Sequence, residues 1–83
     1  MKEEIKFPLY RKLRNGVSVY RVDGPDQLVE YQRLGSKILR HELHATILPE
    51  RVFIADIIAN EGERWDPIGK EEFLAWEANH SAM

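Results

Sequence analysis

The sequence predicts an α+β fold: a four-stranded antiparallel β-meander followed by two short helices packed on one sheet face. Three observations predict it, namely period-two alternation in the first half of the chain, an Asn-Gly reversal between the first two strands, and helical period in the second half. Because every strand precedes both helices, the order favours α+β over α/β. With 83 residues, the chain has room for one domain, 1–83.

The first two strands are predicted at about 7–14 and 17–23, on either side of Asn15-Gly16. A type I′ turn needs positive φ at both central residues, and Asn and Gly tolerate it, so this dipeptide is a strong hairpin signal. Cross-strand partners then have residue numbers that sum to 31, and side chains alternate between two faces. The predicted core face carries Phe7, Leu9, Leu13, Tyr20 and Val22.

The third and fourth strands are predicted at about 27–34 and 37–48. Gly24-Pro25-Asp26 and Gly35-Ser36 supply the turns before them, since proline presets φ and glycine relaxes it. The fourth strand alternates between two rows, so we expect one of its faces to be buried and the other to be wet. The apolar row is Leu39, His41, Leu43, Ala45 and Ile47, and the polar row is Arg40, Glu42, His44 and Thr46.

The second half of the chain predicts two helices, at about 50–61 and 69–79. In the first, apolar residues recur four positions apart, and Gly62 is the predicted C-terminal stop. A buried strand is the alternative for this segment, because a short apolar run can form either element. In the second, Gly69 is the predicted N-cap, and the carboxylate of Glu72 can accept its backbone N–H.

Composition indicates a soluble, cytoplasmic protein. The hydrophobic fraction of 43% and the charged fraction of 31% are those of an ordinary globular domain. The absence of cysteine suits a reducing compartment and excludes disulfides, thiolate metal sites and thiol nucleophiles. Glu3 and Glu4 stand where a secretory signal would be basic, and the longest apolar run, 52–59, is too short to cross a membrane. We therefore expect no membrane partner.

The charges are unevenly distributed between the two halves of the chain. Residues 1–40 carry nine Lys and Arg against five Asp and Glu, a net of +4, whereas residues 41–83 carry three against nine, a net of −6. Because the whole chain has a net charge of only −2, this asymmetry is the global feature that indicates a charged partner or a second copy.

The sequence contains no recognisable catalytic or cofactor motif, and we predict no catalytic residues, no metal site and no cofactor. The histidines of His41-Glu42-Leu43-His44 are three positions apart on a predicted strand, so they point to opposite faces and do not fit the His-Glu-x-x-His zinc pattern. Among the leucines of its row, His41 is predicted to be a core or core-edge residue. A small enzyme or pH-responsive site around His41, with Glu42 or His44 contributing, is the alternative.

The outer face of the first hairpin is the predicted binding surface. It combines cations with an aromatic ring and aliphatic side chains, which can contact phosphates, grip an acidic peptide or pack in a symmetric dimer. We therefore predict a non-catalytic protein-interaction or regulatory module that binds another protein or itself as a homodimer. A nucleic-acid-binding domain is the alternative, but the slightly negative net charge of the chain argues against it. The surface comprises Tyr10, Lys12, Arg14, Val17, Val19 and Arg21.

Overall fold

The computed structural model describes residues 5–80, which form an antiparallel sheet and two helices. The strands are β1 (Leu9–Leu13), β2 (Ser18–Gly24), β3 (Gln27–Leu34), β4 (Lys37–His44) and β5 (Trp65–Pro67), and the helices are α1 (Leu48–Ala59) and α2 (Lys70–Ala78). The sheet order is β4-β3-β2-β1-β5. The predicted α+β class, the meander from β1 to β4 and the position of both helices after that meander are confirmed. Within 5–80, no helix is long and apolar enough to cross a membrane.

The register of the first hairpin follows the alternation of the sequence. Lys12 pairs with Val19 and the ladder continues with partners whose numbers sum to 31, as predicted. The turn itself differs from type I′, because Gly16 alone has a positive φ, of 83°. Its N–H donates to the carbonyl of Leu13 at 2.7 Å, so the tight turn lies one residue earlier than the Asn-Gly pair suggests.

The two helices pack on opposite faces of the sheet, and the prediction that both pack on one face is therefore wrong. Adjacent residues of β2, such as Val19 and Tyr20, belong to different cores because side chains alternate along a strand. The central strands are apolar on both sides, so burial requires a layer on each. The core under α1 is Tyr20, Val22, Leu28, Ala45, Ile54, Ile57 and Trp65, and the core under α2 is Val19, Val29, Tyr31, Phe73 and Trp76.

A fifth strand, which the sequence did not reveal, connects the two layers. β5 pairs antiparallel with β1, with Leu13 opposite Trp65 and Arg11 opposite Pro67. Three residues that end in proline are too few to show alternation. Because β5 forms the edge of the sheet, the chain passes there from α1 on one face to α2 on the other.

The predicted fourth strand extends too far, since β4 ends at His44 and α1 begins at Leu48. The segment predicted at 50–61 is a helix, and it begins two residues before the predicted start. Glu50, at the third helical position, accepts the backbone N–H of Thr46 at 3.0 Å and of Ile47 at 3.4 Å. The bond from Thr46 is the main cause that lowers the pKa of the Glu50 carboxyl.

The C-terminal end of α1 is fixed by Asn60, not by the predicted Gly62. Asn60 adopts the left-handed conformation with φ of 51°, which asparagine tolerates better than most residues. Its side chain donates to the carbonyl of Trp65 at 2.7 Å and accepts the Trp65 N–H at 3.1 Å. The end of α1 is thereby tied to β5. α2 begins after its predicted N-cap, Gly69.

Candidate functional site

Four of the six predicted binding residues lie side by side on the sheet face that α2 covers. Lys12 stands opposite Val19, and Tyr10 stands opposite Arg21. Val19 is fully buried, and the ring of Tyr10 lies 5.4 Å from that of Phe73 in α2, between centroids. The prediction that this hairpin face is open to a partner is therefore wrong at its centre, because α2 packs there instead of on the other face.

The cations on this covered face are paired within the chain. Lys12 Nζ lies 2.8 Å from a carboxylate oxygen of Glu72 in α2. Arg21 Nε lies 2.9 Å from Asp23, and the Arg21 guanidinium also lies 5.7 Å from the ring centroid of Phe73. A phosphate or an acidic peptide would have to compete with these contacts.

The remaining two predicted residues, Arg14 and Val17, lie at the rim of the covered face, in the turn between β1 and β2. Arg14 Nη2 lies 3.4 Å from Asp66 Oδ1, and both side chains are largely in water. Val17 is 37% exposed. The rim of the predicted surface is accessible, and binding there stays a prediction.

The charge asymmetry between the two halves is partly satisfied inside the molecule. The Lys12–Glu72 and Arg14–Asp66 pairs both join a base of the first half to an acid of the second. Partly exposed pairs of this kind contribute about 0–1 kcal/mol each and weaken with salt. Attraction between copies through the same charges would have to replace these internal pairs.

His41 is exposed, so the prediction of a core or core-edge histidine is wrong. It lies on the sheet face that carries α1, but at the edge strand β4, where its Nε2 is 3.2 Å from Gln32 Oε1. Glu42 and His44 point to the other face because side chains alternate along the strand. Glu42 accepts a hydrogen bond from Arg40 at 3.4 Å. The structure thus does not bring together the residues of the predicted His41 site.

A polar row that the sequence analysis missed crosses the sheet beside the core under α1. Cross-strand pairing aligns its members from β4 to β1. One oxygen of the Glu30 carboxylate accepts the Ser18 hydroxyl at 2.7 Å and the Tyr20 hydroxyl at 3.2 Å. Burial, and next the negative charge of Glu30, raise the pKa of Tyr20 to about 12. The row is His41, Glu30, Tyr20 and Arg11.

Replacing Tyr20 with phenylalanine should reduce the loss of stability at high pH. The pKa of Tyr20 is about 12 in the fold and 10.0 for a free tyrosine, so its contribution to stability is present below pH 10 and disappears as the pH rises toward 12. Urea unfolding of the wild type and of Tyr20→Phe at several pH values across that window measures the difference. Equal losses of unfolding free energy in both proteins would show that Tyr20 does not titrate in this way.

The solvent-facing side of α1 carries an apolar row, although the opposite side already forms core. Ile54 and Ile57 are fully buried against the sheet. On the outer side Leu48 is 71% exposed and Val52 is 48% exposed. A surface helix normally carries polar residues there. We name this outer row the α1 stripe, and it consists of four exposed residues at i, i+4, i+7 and i+11: Leu48, Val52, Ala55 and Ala59.

One partly exposed aromatic residue and two charged residues flank the α1 stripe. Phe53 is 38% exposed, and its ring centroid lies 6.3 Å from that of Tyr20. Arg51 and Asp56 are the charged residues on the two sides of the row. The sequence carries the signal for this surface, because positions 48, 52, 55 and 59 are also apolar, but an apolar repeat alone does not distinguish a buried row from an exposed one.

Two clefts at the ends of the helices are small. One, of about 170 Å³, lies at the end of α1 beside Trp65, and the other, of about 200 Å³, lies between α2 and the sheet beside Trp76. Sites for small molecules commonly occupy about 300–1,000 Å³. Across the described residues, no group of three or more His, Asp or Glu side chains is arranged to hold a metal ion.

Comparisons of the chain with protein-family models, curated proteins and solved structures find no match.

Proposed function

We propose that this protein is a non-catalytic protein-interaction module that binds another protein through the α1 stripe. The observation that carries the proposal is an apolar row on the solvent side of a helix whose other side is already buried. Covering apolar surface is favourable by about 25 cal/mol per Å² removed from water. Exposed apolar residues grouped on one side of a helix are typical of interaction sites.

The side chains of the α1 stripe suit a partner helix. Leu48 and Val52 at one end are large enough to insert between the side chains of a facing helix, while Ala55 and Ala59 at the other end allow its backbone to come close. Residues spaced by three and four positions are the usual anchors in such packing. We therefore propose an amphipathic helix of another protein as the occupant.

The predicted hairpin surface contributes little to this proposal. Its centre is covered by α2, and two of its cations, Lys12 and Arg21, are engaged by carboxylates of the same chain. Interaction with another protein remains the proposed function, but the surface that supports it is on the opposite side of the sheet.

A photo-reactive amino acid at Val52 should form a covalent adduct with another protein in cells that produce this chain. The same group at Leu74, which is 41% exposed on α2, is the matched control and should give no adduct of that mass. Adding Leu48→Glu should abolish the adduct at position 52, because a buried charge opposes apolar docking. Equal labelling from both positions, or no adduct from position 52, would overturn the proposal.

A further inference from the structure

The two edges of the sheet differ in their capacity to pair with another strand. β5 has three residues and ends in Pro67, which lacks an N–H. β4 has eight residues and pairs with β3 without a register shift. In the described part of the chain, no strand lies on its outer side. Proteins commonly shorten or interrupt exposed edges, so an intact edge of this length is a site for strand pairing.

The backbone groups that β4 presents outward follow from two hydrogen bonds. The Arg33 N–H donates to Val17 at 2.7 Å, and the Ala45 N–H donates to Asp26 at 2.7 Å. Because the direction of backbone groups alternates in an antiparallel ladder, odd-numbered residues of β4 bond to β3. The outward N–H and C=O groups belong to Ile38, Arg40, Glu42 and His44.

We propose that β4 pairs antiparallel with β4 of a second copy, about a two-fold axis at His41. Residues opposite each other in an antiparallel pair share a face. A two-fold axis between two copies of one strand must therefore pass midway between a residue and its own copy. At His41, this axis places Arg40 opposite Glu42 of the second copy, twice. Neighbouring axes at Arg40 or Glu42 would place like charges opposite each other, so charge complementarity selects His41.

The apolar side chains of β4 agree with the same axis. Leu39 lies opposite Leu43 of the second copy, on the face that carries α1. The turn before β4 would lie beside the segment that follows β4 in the second copy. Leu34, at that turn, and Ile47, in that segment, are each more than half exposed. The arrangement goes beyond the proposed function, because it depends on β4 and on no residue of the α1 stripe.

A single cysteine at position 41 tests the axis. The chain has no native cysteine, and a residue on the axis faces its own copy at a Cα separation of about 4.5 Å, within the disulfide range. His41→Cys should therefore form a disulfide-linked dimer rapidly under mild oxidation. His44→Cys, also exposed on β4, should not, because it faces Ile38 of the second copy. Equal rates for both variants would overturn the proposed axis.

Charge reversal tests the pairing. Light scattering of the wild type should give twice the chain mass of 9.7 kDa. Arg40→Glu or Glu42→Arg alone should weaken the dimer by about tenfold, and the two together should restore it. A monomeric wild type, or no response to these charges, would overturn the inference. Val52→Glu should leave the dimer intact, so loss of the dimer through that change alone would assign self-association to the α1 stripe instead.

Discussion

Replacing Phe73 with alanine should lower the free energy of unfolding by about 3–5 kcal/mol. Phe73 is fully buried, and its ring centroid lies 5.4 Å from that of Tyr10 and 5.3 Å from that of Tyr31. Alanine would leave a cavity at the centre of the contact between α2 and the sheet. Urea unfolding followed by circular dichroism measures the loss, and hydrogen exchange should show α2 opening more readily than β3.

Leu74→Ala is the matched control for this experiment. Leu74 is the next residue along α2 and is 41% exposed, so its truncation should change the unfolding free energy by no more than about 0.5 kcal/mol. A similar loss for both variants would contradict the packing of α2 through Phe73. That result would also reopen the hairpin face as a binding surface.

The second large effect is expected at Ile54, on the buried side of α1. Its side chain is fully buried in the core with Tyr20, Val22 and Leu28. Ile54→Ala should lower the unfolding free energy by about 2–5 kcal/mol through lost burial and the cavity left behind. Chemical unfolding at neutral pH measures it, with near-ultraviolet circular dichroism reporting the packing of Tyr20.

Val52→Ala, on the same helix, should leave stability nearly unchanged, within about 0.5 kcal/mol. Val52 belongs to the α1 stripe and is 48% exposed. The comparison separates the two apolar sides of α1, since only the inner one should matter for folding. A large loss at Val52 would indicate that the outer side supports the fold and would remove the reason to assign it to a partner.

The sequence predicted the structural elements that depend on local periodicity of apolar residues. The register of the first hairpin followed from alternation alone, and it holds although the turn at Gly16 is not the predicted type. The first helix followed from apolar residues four positions apart. The predicted ends of this helix differ from the observed ones because Glu50 and Asn60 fix them through hydrogen bonds to residues outside the helix. A periodic pattern carries no information about such bonds.

The side on which α2 packs depends on non-local pairing. β5 carries the chain around the sheet edge, and a segment of three residues gives no periodic signal. The apolar residues on both sides of β2, such as Val19 and Val22, did indicate a sheet that is covered twice. The prediction counts only one sheet face as core and therefore assigns the other to a partner.

The candidate site was missed for the same physical reason. The sequence shows that Lys12 and Arg21 are cations, but not that Glu72 and Asp23 lie within ion-pair distance of them. It shows that Val52 is apolar, but not which side of α1 meets the sheet. Residue type can be determined from the sequence, whereas availability to a partner is decided by tertiary neighbours.

The pairing of β5 with β1 affects the order in which this protein folds during its synthesis on the ribosome. β1 is made early and acquires its second neighbour only when residues 65–67 emerge, and α2 follows later still. A nascent chain that ends before α2 has a sheet with one apolar face exposed, and chaperones can bind that face. The side chains of Val19 and Tyr31 should therefore become buried only after α2 has emerged from the ribosome.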